Sequence, residues 1–260
     1  MIGTIIGDIV GSRFEFANHR SKHFDLFTIE CDFTDDTIMT MAVADALQKG
    51  KRFDRAFREF GKRYNRPMGG YGASFRQWLD TPGMSAYYSF GNGAAMRVSP
   101  VALRFKDKPL EDCLAMAEQT AVVTHNHPEG IKGARCVAHL IWAALNGATT
   151  KLAMFDIASK YYEEIDGLSV DDIRQDNIFD ESCQVTVPQA IECFLEASSF
   201  EDAIRNAVSI GGDSDTIAAI TGGIAEAFFG VPFDLQTQAR RYLTPEFINI
   251  LNQEYNGKQS

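Results

Sequence analysis

Apolar residues recur every three to four positions along most of the chain, the spacing of one buried helix face. The pairs Thr37–Ile38, Met41–Ala42 and Asp45–Ala46, with Leu47, keep that spacing after an acidic start and predict a helix. The stretches 131–146, 151–164, 187–197, 201–209, 215–229 and 233–242 repeat the pattern, with Gly or Pro between many of them. Alternation of the strand type is scarce, and 24–33 is the only tempting run. The pattern predicts a mostly α-helical domain.

No Pro-, Ser- or Gly-rich linker interrupts the chain, so one compact domain over 1–255 is expected, with a frayed tail at 256–260. The segment 166–182 is acidic and poorly periodic and reads as a solvated surface excursion. At 260 residues the chain is long enough to build a core without metal or disulfide staples. Hydrophobic residues make up 45% and charged residues 23%, which excludes disorder. Five scattered cysteines without a C-x-x-C pair point to reduced thiols and a cytoplasmic location. The N-terminus lacks a basic region and Asp8 breaks its apolar run, so neither a signal peptide nor a membrane span is expected. A formal charge of −10 disfavours nonspecific binding to nucleic acid or anionic membranes.

Gly3, Gly7 and Gly11 form a smooth stripe if this segment is helical, as tight helix–helix packing requires. The chemical signal lies in two strings that rhyme: Thr34-Asp35-Asp36-Thr37-Ile38 and Gly211-Gly212-Asp213-Ser214-Asp215-Thr216-Ile217. Each puts two carboxylates and a hydroxyl at the start of an apolar-periodic segment. Helix capping is the plain alternative, since Asp and Thr are good N-caps. A cap needs one acid, however, and each string has two. Lys and Arg are also absent from 23–48 and 206–239. If the strings meet, four carboxylates converge with no basic neighbour in sequence, and a hard divalent cation is the natural counter-charge. A phosphohydrolase reading of Asp213-Ser214-Asp215 fails for want of a βαβ pattern.

Three further stretches invite a role. The Gly-rich turn at 91–97, Gly-Asn-Gly-Ala-Ala-Met-Arg, opens a helix and exposes backbone N–H groups suited to an anion such as pyrophosphate. Thr124-His125-Asn126-His127-Pro128 sets two histidines beside a helix start. Gly69-Gly70-Tyr71-Gly72 is a flexible segment whose one aromatic, Tyr71, is a candidate substrate contact.

Together these strings resemble the ADP-ribosylglycohydrolase family, including the dinitrogenase-reductase-activating glycohydrolases. The family order stands here as Gly7-Asp8…Gly11…Glu15, then 34–37, 91–97, 124–128 and 211–216, with matches spanning 3–230. The resemblance implies an all-α orthogonal helical bundle with a dinuclear Mg²⁺ or Mn²⁺ centre. Thr34, Asp35, Asp36, Asp213, Asp215 and Thr216 would be its ligands. Glu15 would be the flexible-loop glutamate near the metals, and Glu15, Asp36 and Asp213 would be the catalytic candidates. Asn92, Gly93, Met96 and His125 would line an ADP-ribose cleft. The implied activity is hydrolysis of the bond between ADP-ribose and an acceptor, a protein side chain such as arginine or serine or a related small-molecule conjugate. ADP-ribose would be the product. The alternative is a non-catalytic ADP-ribose-binding or structural member. Arginine-directed bacterial members carry an acid between the first Asp string and the Gly-rich turn. Here 68–76 has none and Asp80 is the nearest, which leaves the acceptor open.

Overall fold

The computed structural model describes residues 1–256. Its helices are α1 Ile2–Gly11, α2 Asp35–Lys49, α3 Phe53–Arg63, α4 Ala73–Asp80, α5 Gly93–Met96, α6 Ser99–Arg104, α7 Leu110–Ala121, α8 Pro128–Leu145, α9 Lys151–Ala158, α10 Val170–Asp176, α11 Cys183–Leu195, α12 Phe200–Ser209, α13 Ser214–Phe229, α14 Phe233–Ala239 and α15 Pro245–Asn256. No strand occurs among the described residues, only one isolated bridge between Gly91 and Ser182. No helix among them is long and apolar enough to cross a membrane. The five cysteines are unpaired and buried. Asn256 closes α15, and the rest of the expected frayed tail, 257–260, lies outside the described residues.

The axis of the fold is the pair α1 and α13. Every residue of α1 is buried, and its glycine stripe lies against the small-residue face of α13. A Cβ on Gly3 would stand 2.2 Å from the Gly222 carbonyl oxygen, and one on Gly7 would stand 1.9 Å from that of Ala218. A Cβ on Gly11 would fall 2.5 Å from the Asp215 Cα. The stripe therefore brings two backbones together, and it brings them together at the start of α13, where Asp215 sits. Around this pair, α8, α11 and α12 pack on α13, while α2 joins α1, α3 and α6.

Three expectations are corrected. The stretch 24–33 is not a strand. Its carbonyls are taken by side chains instead of a neighbouring ladder: Arg13 donates to Asp25 O, Tyr242 to Thr28 O and Arg205 to Phe24 O. The helix expected over 151–164 stops at Ala158, where a turn carries Tyr162 fully into the core before a short 3₁₀ turn at Glu163–Ile165. The acidic segment 166–182 is not merely a solvated excursion. It contains α10, and Glu181 near its end lines the cleft described next. Helices α3, α4, α7 and α15 had no counterpart in the periodicity reading.

Candidate active site

The two Asp strings open α2 and α13, and their helix starts meet. Thr216 Oγ1 donates to Asp36 Oδ1 at 3.2 Å across 180 residues of sequence. Carboxylate oxygens of Glu15, Asp213 and Asp215 all lie within 4.8 Å of one another. Asp35, Asp36, Asp213, Asp215, Thr216 and Glu15 line one cleft of about 400 Å³.

Capping does not account for these acids. At α2 the cap is Thr34, whose Oγ1 accepts the Asp36 N–H at 3.2 Å. Two further N–H groups of this turn go to Asp8, a fully buried carboxylate on α1. It accepts the Thr34 N–H at 3.0 Å, the Thr34 hydroxyl at 2.7 Å and the Thr37 N–H at 3.0 Å. Asp8 thus does the work that Asp35 or Asp36 would do as a cap, which leaves both free. The Thr34 hydroxyl still keeps one lone pair for a ligand. At α13, Asp213 holds the cap position without a side-chain cap bond. Its Oδ2 instead accepts from Asn92 Nδ2 at 2.6 Å, and Asn92 is itself fixed by its N–H to Glu181 O at 2.7 Å.

Electrostatics separate these acids from ordinary surface charge. Burial, reinforced by neighbouring carboxylates, raises Asp35, Asp36 and Asp215 well above the usual carboxylate range. Burial pushes Asp213 up to about 7 and Asp8 up to about 6. Burial together with the Asp215, Asp8 and Glu181 charges lifts Glu15 to about 8, although Glu15 is only half-buried. Asp36 Oδ2 and Asp215 Oδ1 are buried with no hydrogen-bond partner among the described residues. Buried polar atoms are almost always satisfied, so two orphaned carboxylate oxygens in one cluster fit a site that holds a cation. The donor set is all oxygen, which suits Mg²⁺ or Mn²⁺.

The other predicted residues surround this cluster. Asn92, Gly93, Met96, His125 and Tyr71 all line the cleft. The Tyr71 hydroxyl donates to Tyr64 O at 2.8 Å, which anchors the ring beside the cleft. His127 caps α8, its Nδ1 accepting from the Glu129 N–H, so the two histidines do not form a paired ligand set. The Gly69–Gly70 turn packs on Glu15, with Glu15 Oε2 2.3 Å from where a Gly69 Cβ would stand. Asp80 is exposed and absent from the cleft lining.

Two contributors escaped the sequence reading. Asp8 was visible as the polar residue that breaks an apolar run and as part of the Gly7-Asp8 string, but not as the acceptor that holds the start of α2. Glu181 reaches the rim from the acidic segment, whose fold depends on long-range clasps. Asn177 Nδ2 donates to Gly211 O, and Arg20 donates to the carbonyls of Asn177, Arg174 and Ile210. At the mouth, Phe16 (75% exposed) lies against Phe179 with ring centroids 6.0 Å apart.

Comparison with known proteins agrees with this geometry. Residues 1–252 match the family described as ADP-ribosylglycohydrolase. The chain is 25% identical to the ADP-ribosylhydrolase ARH3 of Mus musculus, over 89% of this chain and 83% of that protein. It is 26% identical to the ADP-ribosylarginine hydrolase Tri1 of Pseudomonas putida (strain GB-1), over 89% of this chain and 70% of that protein. A solved chain described as an ADP-ribosylglycohydrolase-related protein complex shares the fold, with a TM-score of 0.73 at 23% identity, covering 98% of this chain and 95% of its own. With the family match running from the glycine stripe through both Asp turns to α15, this chain belongs to the ADP-ribosylglycohydrolase family.

Proposed function

We propose that this protein hydrolyses the glycosidic bond between ADP-ribose and an acceptor, at a centre that requires divalent metal. The observation that carries this reading is the convergence of Glu15, Asp36, Asp213 and Asp215 with two orphaned carboxylate oxygens. The names of the ARH3 and Tri1 relatives supply the substrate class. Asp35, Asp36, Asp213, Asp215, Thr34 and Thr216 would hold two Mg²⁺ or Mn²⁺ ions. Bound there, the ions supply a cationic grip for the distal ribose hydroxyls and make a water more acidic.

The chain's own residues then divide the remaining work. Asp36 is steadied by the Thr216 hydroxyl and Asp213 by the Asn92 amide, so both carboxylates are preorganised. Glu15, only half-buried, stands at the edge of the cluster, within 4.8 Å of the Asp213 and Asp215 carboxylates and open to solvent. It would take the attacking water's proton or protonate the departing acceptor as the bond to C1″ of the ribose opens toward an oxocarbenium-like state. Asn92, Gly93, Met96 and His125, which line the same cleft, would meet the ADP moiety. Tyr71, which lines the same cleft, would be a further substrate contact.

The test is release of ADP-ribose from arginine-, serine- and nucleic-acid-linked conjugates with Mg²⁺ or Mn²⁺, and with EDTA as control. Release by wild type, lost with EDTA and in Asp36→Ala and Asp213→Ala proteins that keep their helical circular dichroism, is the expected result. Equal release by the two variants would sink the proposal.

A further inference from the structure

Glu15 occupies a place that its own side chain does nothing to secure. Its carboxylate stands within 4.8 Å of those of Asp213 and Asp215, and like charges that close repel. The half-buried side chain has no hydrogen-bond or ion-pair partner among the described residues to offset this. Gly69 leaves it room without gripping it, since a Cβ there would stand 2.3 Å from Glu15 Oε2.

The backbone that follows is not held by a ladder either. No backbone–backbone hydrogen bond involves residues 16–27 among the described residues. The position of the loop must therefore come from side chains. Arg20 fixes its far part by donating to the carbonyls of Asn177, Arg174 and Ile210. Asn18 alone reaches both the Glu15 backbone and the second Asp turn. Its Nδ2 donates to Phe14 O at 2.9 Å and to Glu15 O at 3.1 Å, which closes the turn that carries Glu15. The same amide donates to Gly212 O at 2.9 Å, and its Oδ1 accepts the Gly212 N–H at 2.9 Å. Gly212 directly precedes Asp213. One planar amide thus spans the two backbones that carry the facing carboxylates.

The residue type fits that task. An amide joins two donor hydrogens and an acceptor on one short group. Aspartate could accept from Gly212 but not donate to three carbonyls, and it would add a negative charge beside the cluster. The two sides also differ in how far they depend on the link. The Asp213 turn has other support, because Asn177 Nδ2 donates to Gly211 O at 3.1 Å and Asn92 Nδ2 to Asp213 Oδ2 at 2.6 Å. On the Glu15 side, no other side-chain hydrogen bond ties residues 15–19 to the rest of the described fold; that of His19 goes to His23 within the loop.

We propose that Asn18 is a positioning residue that couples the Glu15 loop to the Asp213 turn and so holds the Glu15 carboxylate at the cation cluster. The duty of Glu15 in hydrolysis rests on the reading above; its placement by Asn18 does not.

Electron paramagnetic resonance of Mn²⁺ added to wild type, Asn18→Ala, Glu15→Gln and the double variant tests the placement without substrate. Both single variants should weaken Mn²⁺ binding, Asn18→Ala by about tenfold, as loss of an outer contact to a metal site does. In the Glu15→Gln background no carboxylate is left to place, and the same Asn18→Ala change should cost less than about threefold. A residue that merely braces the fold would cost the same factor in both backgrounds, and that result would overturn the proposal. Unchanged binding in either single variant, or none in wild type, would overturn it too. All four proteins should keep their helical circular dichroism, since both positions lie on a surface loop. Release of ADP-ribose by the same proteins in Mg²⁺ tests the reading beneath, and Asn18→Ala should be slower than wild type. A wild type that follows the Mn²⁺ pattern yet releases no ADP-ribose from any conjugate would overturn the hydrolase reading, with the placement standing.

Discussion

The two Asp turns share the letters Asp-Thr-Ile, and the molecule supports them by opposite means. The turn at 34–37 is held by side chains. Asp8 reaches from α1 and takes two backbone N–H groups and the Thr34 hydroxyl, while Thr34 caps the helix. The turn at 211–216 needs a special backbone shape as well as side-chain clasps. Gly211 and Gly212 sit in the left-handed region at φ 68° and 77°. Asn18 then clasps Gly212 from both sides, accepting its N–H at 2.9 Å and donating to its carbonyl at 2.9 Å. In both cases the result is the same: the carboxylates of the turn are brought to one shared cleft. Similar strings can therefore mark a similar chemical duty while hiding unrelated scaffolding.

The largest effect should come from removing the side-chain support. Asp8→Ala leaves the Thr34 and Thr37 N–H groups buried without partners and should cost roughly 3–5 kcal/mol in urea unfolding. Activity should vanish with it. Asp8→Asn, which keeps an acceptor, should cost less than half as much. Removing the backbone support should cost less. Gly212→Ala puts a side chain at positive φ, with its Cβ 2.6 Å from Asn177 Nδ2, and should lose about 1–3 kcal/mol. An equal loss from Asp8→Ala and Gly212→Ala would erase the distinction between the two turns.

A third effect reads both turns at once, through pH. Asp8, Asp213 and Glu15 are raised to about 6, about 7 and about 8 from ordinary values of 3.8, 3.8 and 4.5. Between those limits the folded protein keeps protons that the unfolded chain has lost. Stability without metal must then fall as pH rises from about 4 to about 8. Melting curves in EDTA should show a lower midpoint at pH 8 than at pH 5.5. Excess Mg²⁺ should raise the pH 8 midpoint far more than the pH 5.5 one. A metal-free midpoint that rises with pH across this window would contradict the assignment.

Much of this was legible from residues alone. The 3.6-residue period marks α2, α8, α12 and α13, because each buries a continuous apolar face. The glycine stripe announced a close helix contact, and the paired acids without basic neighbours announced a charge problem. What stayed hidden depends on distance in sequence. Asp8 is a capping residue for a helix that begins 27 positions later, and no local rule links the two. Glu181 and the wall at 177–182 owe their place to Arg20, Asn92 and Gly211, all far away along the chain. The stretch 24–33 alternates like a strand but never meets a partner edge, so side-chain donors take its carbonyls instead.

The central claim is that both turns contribute to one cation centre. Electron paramagnetic resonance of Mn²⁺ added to wild type, Asp36→Asn and Asp215→Asn reads this directly, independent of substrate. Both variants, one from each turn, should weaken Mn²⁺ binding by more than the roughly tenfold that loss of a supporting contact costs. Binding that survives unchanged when either turn loses its carboxylate would show that the two turns do not share a metal.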